Sequence, residues 1–540
     1  MMLKQYDVIM IGSGHNALVA AAYLTRAGRS VLLLERNDRP GGFLRTEELT
    51  LPGFKHDVYA AAHPLFLTGP AYADFKEALE ARGLRYINTD LPTGVSMESG
   101  ETAVFPRSGE ALAAETERLA PGDGAALGRI FEAFAPYAGD VFELFNLDLT
   151  SKRASLIIDK LLHKNNPNGH GASGHQASLS AFSAYLFSTA RQAVNELKSP
   201  VTRAMLASWV THLGRTPDEV GSGVWVPLTA MALMGGGMPI PEGGAEKLAS
   251  SLAQLVIDQG GTIITGTQAE RIVVKNGKAV AVRTAEGEEY HARHAVVAST
   301  GPDQLYLKLL ADEPTPAEIA TQAKQFRYGR GCVQIHLALS EPPQWPDARF
   351  NQVGQPHLTD SLDGFTQAIA QGMADLLPAK PTFTVDCSTN LDPTRAPAGK
   401  AIMRLQVLEV PCRPRGDAAG LIEVGDGSWT PELTERFAER VINVVAKHIP
   451  NIPSAIIGKY VVTPDTIARY NLNAGPGDPY GGAHDLAQSY LFRPLPAQPS
   501  HQTSIPNLYL LGAATWPGHG INGGSGYIVA QKLLAGDKFV

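Results

Sequence analysis

The chain has 540 residues, 44% hydrophobic and 18% charged, which excludes a disordered or fibrous protein and exceeds what one hydrophobic core can hold, so two or more folded units are expected. Lysine and arginine total 46 against 53 aspartates and glutamates, a formal charge of −7 that offers no general attraction for nucleic acid. The three cysteines, Cys332, Cys387 and Cys412, form no C-x-x-C or similar short spacing, so no redox dithiol or thiolate zinc site is written, and a reducing, cytoplasmic setting is expected.

Residues 6–11 are an apolar run read as a strand, entered directly from Met1 without the features of a secretory signal. A glycine turn follows, Gly12-Ser13-Gly14-His15-Asn16-Ala17, then an alanine-rich helix over 16–27 ended by Gly28. Residues 30–34 read as a second buried strand, completing a β-α-β unit. The turn is a G-x-G-x-x-A form of the dinucleotide fingerprint. Gly12 permits the tight turn, Gly14 lets the backbone approach a diphosphate, and small Ala17 lets the helix pack on the strand with its N-terminus facing the anion. Glu35, 23 residues beyond Gly12, stands where a carboxylate accepts ribose hydroxyls and repels a 2′-phosphate. Gly41-Gly42 is a flexible pair able to turn amides toward phosphate.

Residues 72–238 read as mostly helical. Within them 163–178 is rich in Gly, Asn, His and Ser and reads as a solvated loop, so no metal is assigned to His163, His170 or His175. The apolar stretch 223–239 is broken by Pro227 and by Gly235-Gly236-Gly237, too short and interrupted for a membrane span, and reads as buried. A helix is expected over 245–259, with Leu248, Leu252, Leu255 and Val256 on one face. Strands 271–275 and 278–284 are joined at Asn276-Gly277, a strong hairpin signal. Residues 295–298 return to the nucleotide-binding sheet. Short strands and helices alternate from 314 to 499, and the tail gives a strand at 508–511, a glycine-rich turn and a helix over 526–534.

The fold class expected is therefore α/β, a discontinuous Rossmann-like nucleotide-binding domain with a second, mixed α+β substrate domain. The first takes residues 1–71, 239–313 and 500–540; the second takes 72–238 and 314–499.

The sequence resembles the carotenoid and retinoid oxidoreductase family, the phytoene-desaturase-like flavoproteins. These are related to the flavin amine oxidases and to the group of pyridine nucleotide-disulfide oxidoreductase domain-containing protein 2. The resemblance lies in the spacing of Glu35 to Gly41-Gly42, in Pro52-Gly53-Phe54-Lys55-His56-Asp57, in Pro241-Glu242-Gly243-Gly244, and most of all in the tail from Asn507 to Gly520. It implies FAD. Gly12, Ser13, Gly14, Asn16, Ala17, Glu35, Arg36, Gly41 and Gly42 would hold the nucleotide end, and Gly512, Ala513, Gly520, Ile521, Asn522 and Gly523 the ribityl chain and ring. Many relatives carry arginine directly after the glycine pair; this chain has Phe43 there, so either Arg45 substitutes or the contact is lost.

No second G-x-G-x-x-G follows a strand, so an external electron acceptor, dioxygen or quinone, is expected. His63, Trp516, His519 and His336 are the candidate catalytic residues, and 224–234 a candidate channel lining that ordinary core packing also explains. The implied reaction is desaturation or oxidation of an apolar, isoprenoid or polyene-like substrate by hydride transfer to flavin. Peripheral contact with a membrane is compatible with it. The alternatives are a flavin amine oxidase on the same fold and a catalytically silent flavoprotein with a binding role.

Overall fold

The computed structural model describes residues 4–163 and 179–536. Of the loop expected over 163–178, His163 bonds to Asp159 at 2.8 Å, and His170 and His175 lie outside the described residues.

Two seven-stranded sheets carry the fold. In the first, Gln5–Ile11 lies between Glu289–Ala298 and Val31–Leu34, parallel to both. The strand Glu289–Ala298 joins three distant parts of the chain. Its first half pairs antiparallel with Lys278–Thr284, its second half pairs parallel with Leu508–Leu510, and its other edge takes Gln5–Ile11. The hairpin forms at Asn276-Gly277, with φ of 51° and 73°, the left-handed pair that a two-residue turn of this twist requires.

Parallel strands are buried on both faces, and these are. His15–Arg26, Glu246–Asp258 and Gly524–Ala535 cover one face; their close packing depends on the fully buried run Ala20, Ala21, Ala22 and on Leu248, Leu252 and Val529. Leu305, Tyr306 and Leu309 lie in the core on the other face, with Ile9, Leu32 and Leu510.

The second sheet runs in the order Ile456–Val462, Gly331–Leu339, Ala401–Val410, Phe383–Asp386, Val353–Thr359, Leu91–Met97, Thr102–Phe105. Its pairs are antiparallel except Val353–Thr359 with Leu91–Met97. The long helix Pro431–His448 seals one face with Leu433, Phe437, Val441 and Val445. The opposite face turns Gln334, Arg404, Gln406 and Leu408 toward the interior.

Two differences from the sequence-based expectation have physical causes. Residues 72–238 are not helical throughout, because Leu91–Met97 and Thr102–Phe105 join the second sheet, where Val95, Met97, Ala103 and Phe105 bury against Val201, Ala204 and Met205. The last helix begins at Gly524 rather than 526, because the Asn522 side chain accepts from the Gly524 N–H at 2.8 Å and starts the turn early. Among the described residues no helix is long and apolar enough to cross a membrane; the stretch 223–239 forms the helix Trp225–Gly236.

The last helix meets the first at Gly526, where a Cβ would lie 2.0 Å from the Asn16 carbonyl oxygen. Gly128, inside Asp123–Leu144, has nothing within 4 Å of the same position. Gly526→Ala is therefore expected to cost about 1–3 kcal/mol by overpacking. Gly128→Ala should gain about 0.5–1 kcal/mol of helix propensity. Urea denaturation of both variants checks the pair, and equal effects would contradict the close contact.

Candidate active site

A cavity of about 670 Å³ runs between the sheets from the first glycine turn to the helix Trp225–Gly236. Gly14, His15, Asn16, Gly42 and Phe43 line one part of it, and Gly512, Ala513, Gly520, Ile521 and Asn522 another. The two parts are tied together where the Asn16 Oδ1 accepts from the Gly526 N–H at 3.3 Å and the His15 ring bonds to the Gly520 backbone.

The first part fits a dinucleotide. The space a Cβ on Gly14 would enter is empty to 4 Å, and Gly42 approaches so closely that its Cβ would lie 3.3 Å from the Gly14 Cα. No side chain of the N-cap residue Gly14 caps the helix His15–Arg26, so its first N–H groups are available to an anion. Behind the wall, Gly12 takes φ +88° and Gly41 φ +127°, with a Gly41 Cβ only 2.6 Å from that of Ala249. Ser13 and Ala17 are fully buried behind the same turn, and Gly523 holds φ +73° at the start of the last helix. Glu35 is buried and accepts from the Ser13 N–H at 2.9 Å, the Ser13 hydroxyl at 2.7 Å and the Asn37 N–H at 2.9 Å. A carboxylate has about four acceptor positions, so about one is left untaken by the chain, although Glu35 itself does not line the cavity.

Several expected residues do not reach the cavity. Arg36 is exposed, 3.5 Å from the Arg469 carbonyl. Arg45 is held by Asp38 and Glu47 and sits over the Tyr470 ring at 5.4 Å, so it does not take the place of the missing arginine. That place is filled by aromatic packing: Phe43 lies 4.8 Å from Tyr59, Tyr59 stacks on Tyr470 at 4.9 Å, and the Tyr470 hydroxyl donates to the Gly42 carbonyl at 2.8 Å. His63 is buried against Tyr86, its Nδ1 3.0 Å from the hydroxyl. His336, paired across the sheet with Arg404, lies in a separate pocket of about 10 Å³ with His56 and Asp386. Neither histidine touches the main cavity.

Trp516 and His519 do line it. The Trp516 indole donates to the Leu144 carbonyl at 2.8 Å and packs on Phe145 at 5.2 Å. Both nitrogens of His519 are engaged, Nδ1 with His484 Nε2 at 3.1 Å and Nε2 with the His212 carbonyl, which makes it a brace with no nitrogen free for substrate. Of the apolar stretch 224–234, Trp225, Leu228, Met231 and Leu233 line the cavity.

The residues that sequence reasoning missed are the polar ones. Arg493 is fully buried and makes five bonds to backbone carbonyls: to Ala513 at 2.8 and 3.3 Å, Gly481 at 2.9 Å, and Ala483 and Gln488 at 3.1 Å each. Burial lowers its pKa to about 10, which still leaves it charged near neutrality, and it ties the 481–488 loop to Ala513. Arg404 pairs with Asp386 and donates to Gln334 Oε1 at 3.1 Å. His212 and His484 join His519 on the wall. No periodicity marks any of these; each is a single polar residue in a loop or among apolar strand residues.

Burial holds the imidazoles of His15, His212 and His519 at about 4, about 3 and about 4, against 6.5 unperturbed. The folded state keeps them neutral while the unfolded chain takes up protons, so their contribution is complete above about pH 6.5 and is lost as pH falls toward the folded values. The urea midpoint should therefore drop between about pH 6.5 and about pH 5, above the carboxylate range. A flat profile there would contradict the neutral cluster.

Residues 18–534 match the model of the family described as flavin containing amine oxidoreductase. The chain is similar to one of the subunits of the limonene dehydrogenase of Castellaniella defragrans, 25% identical over 98% of this chain and 95% of that one. It is also similar to the neurosporene-forming phytoene desaturase of Cereibacter sphaeroides, 26% identical over 98% of this chain and 94% of that one. The fold is that of a solved putrescine oxidase bound to putrescine, at a TM-score of 0.60 and 14% identity, covering 98% of this chain and 99% of that one. The chain belongs to the flavin containing amine oxidoreductase family, and it is an oxidoreductase whose cofactor is FAD.

Proposed function

We propose that this oxidoreductase desaturates or oxidises an apolar, isoprenoid-like substrate held in the cavity against the flavin ring. The observation that carries the reading is the wall itself. Its apolar side chains include Trp225, Leu228, Met231, Leu233, Phe142, Phe145 and Trp209, and its cations are Arg215, Arg404 and Arg493. Among the described residues the wall has one carboxylate, Asp478, and it is fully buried and accepts from the N–H groups of Gly329, Tyr480 and Gly482. Such a site welcomes apolar surface and repels an ammonium ion.

In this reading residues 1–71, 239–313 and 500–540 form the FAD-binding domain, and 72–238 with 314–499 the substrate domain. The turn Gly12 to Ala17 takes the diphosphate and Glu35 the ribose. Gly512, Ala513 and Gly520 to Gly523 surround the ring, and the N-terminus of the last helix favours negative charge there. Bound FAD supplies the oxidant that accepts a hydride. The chain's own residues position the substrate and keep water out: Trp516 and Phe145 close one side, and Arg493 fixes the loop that carries His484. An external acceptor, dioxygen or a quinone, reoxidises the enzyme.

Two outcomes test this. Glu35→Ala should purify with markedly less FAD; unchanged flavin content would remove Glu35 from the cofactor site. Under anaerobic mixing, a panel of isoprenoids should contain compounds that bleach the flavin, whereas benzylamine should not. Bleaching by the amine alone would make the enzyme an amine oxidase, and a protein that holds FAD but is bleached by nothing in either panel would be a silent flavoprotein.

A further inference from the structure

Four imidazoles, His357, His212, His519 and His484, lie in succession beside the cavity, and their hydrogen bonds fix which nitrogen of each carries the hydrogen. His519 Nε2 faces the His212 carbonyl oxygen, which only accepts, so Nε2 is protonated and Nδ1 is bare. His484 Nε2 lies 3.1 Å from that Nδ1 and 3.2 Å from the Tyr480 carbonyl, two acceptors, so it carries a hydrogen shared between them. His484 is neutral, because burial holds its pKa well below the usual range. Its Nδ1 is therefore a lone pair, which meets no donor among the described residues although the side chain lines the cavity.

At the other end, the Nε2 atoms of His212 and His357 are 3.1 Å apart, so one donates to the other. His357 Nδ1 is sealed from solvent without a partner, and a sealed lone pair costs less than a sealed N–H. His357 therefore keeps its hydrogen on Nε2 and gives it to His212. This leaves the hydrogen of His212 on Nδ1. Trp209 stacks on that ring at 4.5 Å and 25°, holding its plane. The cavity thus offers one N–H, from His212, and one lone pair, from His484. Both side chains line the same cavity, and a hydroxyl group can accept from the first and donate to the second.

We propose that the substrate is an apolar alcohol whose hydroxyl accepts from His212 Nδ1–H and donates to His484 Nδ1, and that His484 is the base of its oxidation. The inference deepens the proposed function and rests on it. The O–H bond breaks with its proton passing to His484 Nδ1, the C–H bond on the same carbon breaks with its electron pair passing to FAD as hydride, and a C=O bond forms. The proton then leaves His484 for solvent, and the external acceptor takes the two electrons. His519 and His357 are positioning residues that set the two tautomers.

The test uses the FAD-loaded enzyme mixed anaerobically with farnesol or with its hydrocarbon counterpart farnesene. Farnesol should bleach the flavin and farnesene should not. His484→Gln should keep its FAD and still show the spectral perturbation caused by bound farnesol, while bleaching slows about a hundredfold or more. His212→Phe should raise the half-saturating farnesol concentration about tenfold with little change in limiting rate, as expected for one lost hydrogen bond. Bleaching by farnesene as fast as by farnesol, or an undiminished rate in a His484→Gln enzyme that holds its FAD, overturns the inference and leaves an apolar-substrate oxidoreductase standing. Should His484→Gln lose its FAD, the His212→Phe arm decides alone, and unchanged half-saturation overturns the inference. Bleaching by neither of these two isoprenoids overturns the inference; bleaching by no member of the isoprenoid panel, with or without bleaching by benzylamine, overturns both.

Discussion

Gly526 has no side chain, and the carbonyl of Asn16 occupies the space where one would stand. That contact joins the N-termini of the first and last helices, and each N-terminus favours negative charge. Their approach is imposed from below by Glu289–Ala298, which takes Gln5–Ile11 on one edge and Leu508–Leu510 on the other, so the strands that feed both helices are fixed in register by the same neighbour. The proposed site for a flavin dinucleotide would follow from this pairing. Neither end of the chain builds it alone.

Buried cations are held in two ways, with a carboxylate partner, as at Arg404, or by backbone carbonyls, as at Arg493. Arg493 is satisfied by carbonyl oxygens, and Arg404 shares its charge between Asp386 and Gln334. Asp478 is correspondingly satisfied by backbone N–H groups. Loops in this core are thus held by charge-assisted bonds to backbone, which fixes where His484 and Ala513 stand. The histidines nearby stay neutral because burial disfavours their charged form, and a neutral imidazole can both donate and accept.

Much of the cofactor end was legible in the sequence because its constraints are local. A glycine is needed where φ is positive or two backbones touch, as at Gly12 and Gly42, and Asn276-Gly277 names its own turn. The first strand, the first helix and the helix beginning at Glu246 follow from short-range periodicity. Leu91–Met97 carries Pro92 and Gly94, residues that disfavour a strand interior, and it is held as a strand by the second sheet, assembled from distant segments. The substrate end was hidden for a related reason. His212, His357, His484 and His519 are scattered over some 300 residues, roughly half of the chain, and no spacing announces that they touch. Of the two alternatives for the missing arginine, the pairing of Arg45 with its near neighbours Asp38 and Glu47 favours loss of the contact, while Tyr470, far along the chain, bonds to the glycine turn.

The central claim is that the two ends of the chain grip one FAD, its diphosphate at the Gly12 turn and its ring beside Gly512 and Gly520. A crystal structure of the enzyme reconstituted with FAD tests this most directly. The expected density runs from the N-terminus of the helix His15–Arg26 to that of Gly524–Ala535, with the ring facing the wall that carries His212 and His484. Density for the cofactor in any other place, or a protein that crystallises colourless from saturating FAD, would contradict it.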